Sequence, residues 1–416
     1  MSPRRSTAAA PRRRTMTADA VCRSASHVPV VDAISRLGPI TGPGQILDQS
    51  GADPAAQLAG EQTSHLVESW QYMGAAIRAI LCNASDNAVH FAYYAQLRAV
   101  LSVFAGSGIR VRLGKNFYLD ALGNRHAFVL PNGDRTHPVT WSLWDEWVKT
   151  TYAQELMQRR ISLVAGIALG DIALVPSGSG ALMSAWGYDL ACGLADHTAR
   201  NQASYHAKAT SPSPVMTNSH LSLVERMWTL LLQNGEGVLF DATLVRYFVD
   251  RFVADAIEQS RGDARPVDRA SLLARVANMT EARTGVASGT LLQVLDAEVD
   301  TGLFEVAAAR STKVENVVSR ALFLVRIATL AQSATLTDGA GPDAKRWLAA
   351  WLSSAGLYDP QVHDGPSDIA VDYEDALEEF HAADWSLAPA SLWGSSARNT
   401  ALLSRPEGFM GWALPL

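Results

Sequence analysis

The 416 residues exceed what one ordinary core fills, and an apolar share of 48% is enough to bury a large interior. A formal charge of −6 excludes a whole-molecule nucleic-acid coat, though not a local basic cleft. Cys22, Cys82 and Cys192 lie too far apart for a CxxC pair or a ligand spacing, which excludes a zinc motif or disulfide framework and predicts reduced, buried thiols.

Residues 1–60 contain Pro, Gly, Ser and Ala without sustained periodicity and read as a largely disordered, basic N-terminus. Arg4, Arg5 and Arg12–Arg14 are not followed by the apolar stretch of a signal peptide, so the expectation is a solvated arm or a true start at Met16. Order is predicted from Glu61. Leu66, Trp70, Met73, Ile77 and Leu81 form one helical stripe, and His90, Tyr94, Leu97, Leu101 and Phe104 form a second, with Asp86 as its N-cap and Gly106-Ser-Gly108 as its stop. Arg110–Leu119 and His126–Leu130 flank a turn at 121–124 and predict a small β-hairpin. Lys115 and Arg110–Arg112 on it are candidate phosphate contacts or edge charges.

Helical pattern resumes at Trp141, Trp144, Trp147, Tyr152 and Leu156, where the tryptophans read as a buried face. Ser177-Gly-Ser-Gly180 reads as a helix cap ahead of Leu182, Trp186, Leu190 and Leu194, whose small neighbours allow close packing. Ser211-Pro-Ser-Pro214 is the predicted boundary between a domain at 61–214 and a helical region at 215–360. There Ser222 with Glu225 resembles a capping box, Asp241 is placed to cap the next helix, and further helices fit 269–278, 290–299, 314–332 and 342–355. Residues 361–416 form an acidic and aromatic tail, whose carboxylates at 372–379 read as a solvated helix face. The fold class is therefore mainly α: an N-terminal helical bundle with a small β-hairpin insertion, followed by a second all-helical region. Ile161–Val175 is short and holds Asp171, and Arg326 interrupts the run at 322–330, so no membrane span is predicted and a cytoplasmic location follows.

P-loop, GxGxxG, HExxH and GxSxG motifs are all missing, and nothing asks for a cofactor or metal. One cluster carries chemistry, Asp196-His-Thr-Ala-Arg200-Asn201-Gln-Ala-Ser-Tyr205-His206. A histidine titrating near neutrality moves a proton to or from a ribose oxygen, an arginine fork holds a phosphate, and an amide orients either. Asp196, one turn before Arg200, is placed to fix the guanidinium, and Tyr205 marks where the helix would fray. On an ideal helix Arg200 and His206 stand about 9 Å and about 120° apart, so a shared site needs a frayed end or two facing copies. His90 reads as a hydrogen-bonded core histidine, and His137 as a loop residue lining the same cleft.

Arg200-Asn201, four residues and His206 resemble the Arg-polar-x4-His signature of HEPN domains. The order of His90-Phe-Ala-Tyr-Tyr-Ala-Gln-Leu-Arg98 and Thr136-His-Pro-Val-Thr-Trp141 is similar to HEPN-like bacterial proteins of the YaaC type, over residues 61–210. The resemblance implies a helical bundle acting as a homodimeric, metal-independent endoribonuclease of a phage-defence or toxin–antitoxin system. In it Arg200, Asn201 and His206 form the catalytic trio and RNA is the substrate. It equally admits an inactive scaffold that docks an operon-encoded protein partner, and a small-molecule sensor is a third reading.

Overall fold

The computed structural model describes residues 13–36, 53–82, 84–164, 166–172, 190–205, 218–234, 237–261, 267–297, 300–339, 342–382 and 401–414. Within the N-terminal stretch without periodicity, β1 (Arg14–Thr15), α1 (Ala18–Ser24) and α2 (Val28–Arg36) are ordered. Thr17 caps α1, whose Val21 and Cys22 are buried, so a few well-placed apolar residues dock this segment without a long stripe. α3 (Pro54–Leu81) begins at an Asp53 cap followed by proline, and its predicted stripe of Leu66, Trp70, Met73, Ile77 and Leu81 is buried. α4 (Ser85–Gly106) packs along α3. Asp86 lies in its first turn rather than at its cap, which is Ala84.

Gly108, at φ +83°, turns the chain out of α4, and any Cβ there would meet the Ser26 carbonyl. Residues 110–119 do not form one strand. β2 (Ile109–Arg110) pairs antiparallel with β3 (Phe117–Leu119), β3 pairs antiparallel with β4 (Arg125–Val129), and β1 joins β4 in parallel. Arg110 is buried against Glu61 through 2.9 Å bonds, so it is spent inside the fold and not free for a phosphate.

α5 (Thr136–Trp147) buries Trp141, Trp144 and Trp147 as its spacing predicts, and Trp144 stacks on Trp147. α6 (Thr151–Arg160) leads into a β5 (Ser162–Val164) and β6 (Ile167–Ala168) hairpin. The Ser177–Gly180 cap and the 211–214 boundary lie outside the described residues. α7 (Leu190–Tyr205) crosses α4 and α5. Gly193 meets the Trp141 indole there, where an added Cβ would fall 2.8 Å from ring carbons.

α8 (Asn218–Leu231) already encloses Ser222, which is therefore not a cap. A β7 (Gln233–Asn234) and β8 (Gly237–Val238) hairpin interrupts the otherwise helical C-terminal region. α9 (Leu239–Ser260) starts before Asp241, which is buried and accepts bonds of 2.9 and 2.6 Å from Arg326 instead of capping. α10 (Arg269–Thr284), α11 (Ser288–Leu295) and α12 (Gly302–Ala308) follow.

α13 (Val314–Gly339) is the central helix, buried nearly all round and packed on α4, α3 and α2. By length and composition it is apolar enough to cross a membrane, and it runs well beyond the short stretch that the sequence marks; here it lies inside the fold. α14 (Pro342–Ser354), α15 (Ile369–Ala382) and α16 (Met410–Ala413) complete the described elements. Residues 401–414 pack on the helices: Trp228 donates to the Leu403 carbonyl at 2.8 Å and Trp412 to that of Leu231 at 3.0 Å. One continuous core holds Trp70, Trp141, Trp228, Phe323 and Tyr373, so residues on both sides of 211–214 share it. Cys22 and Cys192 are buried, whereas Cys82, at the end of α3, is exposed.

Candidate functional site

Helical spacing brings His90, Tyr93 and Tyr94 to one side of the first half of α4. α7 lies across them and presents His197, Arg200, Asn201 and Ser204, and the first turn of α5 adds His137. The Gly193 contact with Trp141 is what lets α7 come this close.

Arg200 is the centre of the cluster and is only 8% exposed. Its Nη1 donates to Asn201 Oδ1 at 2.6 Å and its Nη2 to the Tyr94 hydroxyl. The guanidinium lies 4.9 Å from the Tyr94 ring centroid and 5.9 Å from that of Tyr93, a cation–π seat. Its Nε has no hydrogen-bond partner among the described residues. Nor does a described carboxylate pair with it.

Asp196, expected to fix Arg200, faces elsewhere. It is fully buried and takes 2.8 and 2.6 Å bonds from Arg320 on α13 and a 3.0 Å bond from Gln96. Arg320 also donates to the carbonyls of Ala307, Ala309 and Ser311. The i,i+4 spacing permits the Asp196–Arg200 pair, but the buried Arg320 fork supplies a better-desolvated partner and takes both carboxylate oxygens.

The imidazoles differ in their partners. Trp141 Nε1 donates to the Tyr93 oxygen at 3.2 Å, and Tyr93 contacts His137 Nδ1 at 2.7 Å. An indole can only donate, so Tyr93 accepts from Trp141, and the His137 tautomer protonated at Nε2 is the one that lets the Tyr93 hydroxyl donate to Nδ1. His137 stacks on His197 with centroids 4.9 Å apart, and Tyr93 lies 5.4 Å from His197. His90 Nδ1 bonds Ser204 Oγ at 2.7 Å.

Burial, then the neighbouring His197 and Arg200 and the more distant Arg98, push the His137 pKa down to about 4. Burial first and Arg200 second also lower His197 and His90 below 6.5. Burial raises the Tyr93 phenol well above its usual value. At neutral pH the site is thus one buried cation ringed by neutral imidazoles and phenols, able to accept a proton and to hold an oxyanion.

Arg200, Asn201 and His137 lie in one cluster, His137 on the first turn of α5 rather than in a loop, and Asp196 is drawn away by Arg320. His206 and the Tyr205 side chain lie outside the described residues. His90 is half-buried beside Arg200 rather than in the core. The sequence does not single out His197 or Tyr93, and it marks Tyr94 only as part of a helical stripe. The signal was present in the i,i+3 spacing of His197 and Arg200 and the adjacent tyrosines of α4. Among the described residues no group of three or more metal-ligating side chains occurs, and Asp372 of the acidic stretch bonds His363. No family model matches the chain, and neither the curated proteins nor the solved structures give a match.

Proposed function

We propose that this chain is a metal-independent endoribonuclease on a HEPN-like bundle, acting as a cytoplasmic homodimer in phage defence or a toxin–antitoxin system. The observation that carries the reading is Arg200, a nearly buried guanidinium with no described carboxylate partner and a free Nε beside three half-buried imidazoles. An unpaired buried cation is costly, and a phosphodiester anion would offset that cost on binding. Asn201 orients the guanidinium, and by resemblance His206 completes the trio from the end of α7 or from the facing copy.

The test is labelled RNA with the purified full chain in excess EDTA, beside Arg200→Ala and His206→Ala, with sedimentation to read the oligomeric state. Cleavage should fall by about 10²–10³-fold in Arg200→Ala, the size expected for losing a transition-state charge donor. Cleavage that survives in both variants removes this site. The second reading is a scaffold for an operon-encoded protein. It is favoured by the bonds that Arg200 already makes to Tyr94 and Asn201, which would also serve an inert helix junction. An inert full chain that is stably bound by its gene neighbour's product supports that alternative.

A further inference from the structure

We infer that His197, not only the histidine at the end of α7, is the proton-transfer group of this site; the inference rests on the ribonuclease reading. Three residues along a helix place His197 about 4.5 Å and about 60° from Arg200, on the same face. Of the imidazoles in the cluster, His137 has Nδ1 committed to Tyr93 and His90 has Nδ1 committed to Ser204. No hydrogen bond holds either ring nitrogen of His197 among the described residues. Its ring is instead fixed by stacking on His137 and by Tyr93, which leaves its orientation set and its nitrogens free.

The step balances on His197 alone. Its unprotonated nitrogen takes the proton of the ribose 2′-hydroxyl as the 2′-oxygen forms its bond to phosphorus. The imidazolium then returns that proton to the 5′-oxygen as the P–O5′ bond breaks, giving a 2′,3′-cyclic phosphate and a 5′-hydroxyl. The His137 Nε2–H serves as a hydrogen-bond donor to a phosphate oxygen, and Arg200 balances the charge developing on phosphorus. The groups facing His197 are Tyr93 from α4, His137 from α5, and Arg200 on its own helix, with Asp196 turned to Arg320. Only Arg200 among them is charged at neutrality and directed at the cluster. Burial first and Arg200 second hold His197 below 6.5, so the working base stays unprotonated through the neutral range and is lost as pH falls through that lowered pKa.

The test compares wild type, His197→Gln, His197→Ala and Arg200→Lys on a dinucleotide substrate in EDTA, with melting curves for each. Expected for His197→Gln is a fall in kcat of at least 100-fold with KM within about threefold, and loss of the acid limb below pH 6.5. Added imidazole should restore at least tenfold of the lost rate to His197→Ala, which a packing role would not allow. Arg200→Lys should lower the rate and keep the limb. If wild type cuts and His197→Gln cuts equally well, or the limb persists in it, the inference fails while the ribonuclease reading stands. If wild type cuts nothing under conditions where it melts cooperatively, both fall together.

Discussion

Asp196 and Arg320 show how far a single residue's role can depart from its local spacing. Both are buried and joined by a bidentate bond, and the arginine's remaining protons go to three carbonyls. Removing one partner leaves the other as an uncompensated charge in the interior. Asp196→Ala is therefore expected to destabilise the chain by about 3–5 kcal/mol, read as a lowered denaturant midpoint. The double variant Asp196→Ala with Arg320→Met should recover much of that loss, because no isolated charge remains. A midpoint unchanged in Asp196→Ala would mean that the pair is solvated. Sequence reading found Asp196 but assigned it the nearer arginine, since a bond across 124 positions leaves no trace in helical periodicity. The same limit hid His197, whose meaning depends on His137 arriving from another helix.

At the level of elements, the patterns that survive are those set by burial on one face. The α3 stripe, the three tryptophans of α5 and the β3–β4 hairpin are where side-chain period predicts them. Capping signals fared worse. Ser222 and Asp241 fall inside α8 and α9 because buried residues upstream, His220 and Leu221 in one and Phe240 in the other, start each helix before the residue that would otherwise cap it. Packing between elements was legible only in part: small residues near α7 implied a close approach, and Gly193 against Trp141 is its described instance. Gly193→Val must push the indole or part the helices. A loss of about 1–3 kcal/mol is expected, seen as a lower melting temperature. A variant as stable as wild type would show that the α5–α7 contact can relax freely.

For the whole molecule, α13 decides how the chain can be divided. It supplies core side chains to α3 and α4 from more than 200 residues downstream, and Trp70 donates to Thr329 across that gap. A fragment covering residues 53–205 would expose the apolar faces that α13 covers. Expressed alone it should fail to show a cooperative thermal transition, whereas adding the remainder of the chain in trans should restore one. A fragment that melts sharply by itself would show that the N-terminal helices form an independent unit.

The order in which these parts leave the ribosome has a bearing on cellular safety. Asp196 is made 124 residues before Arg320, and at about 5–20 residues per second that is a wait of roughly 6–25 s. Throughout that interval Asp196, on the helix that bears Arg200, lacks its guanidinium partner. On the proposed ribonuclease reading, a nascent polypeptide would thus carry an unassembled cluster while its own message is still being read, and cleavage would begin only once Arg320 has been made.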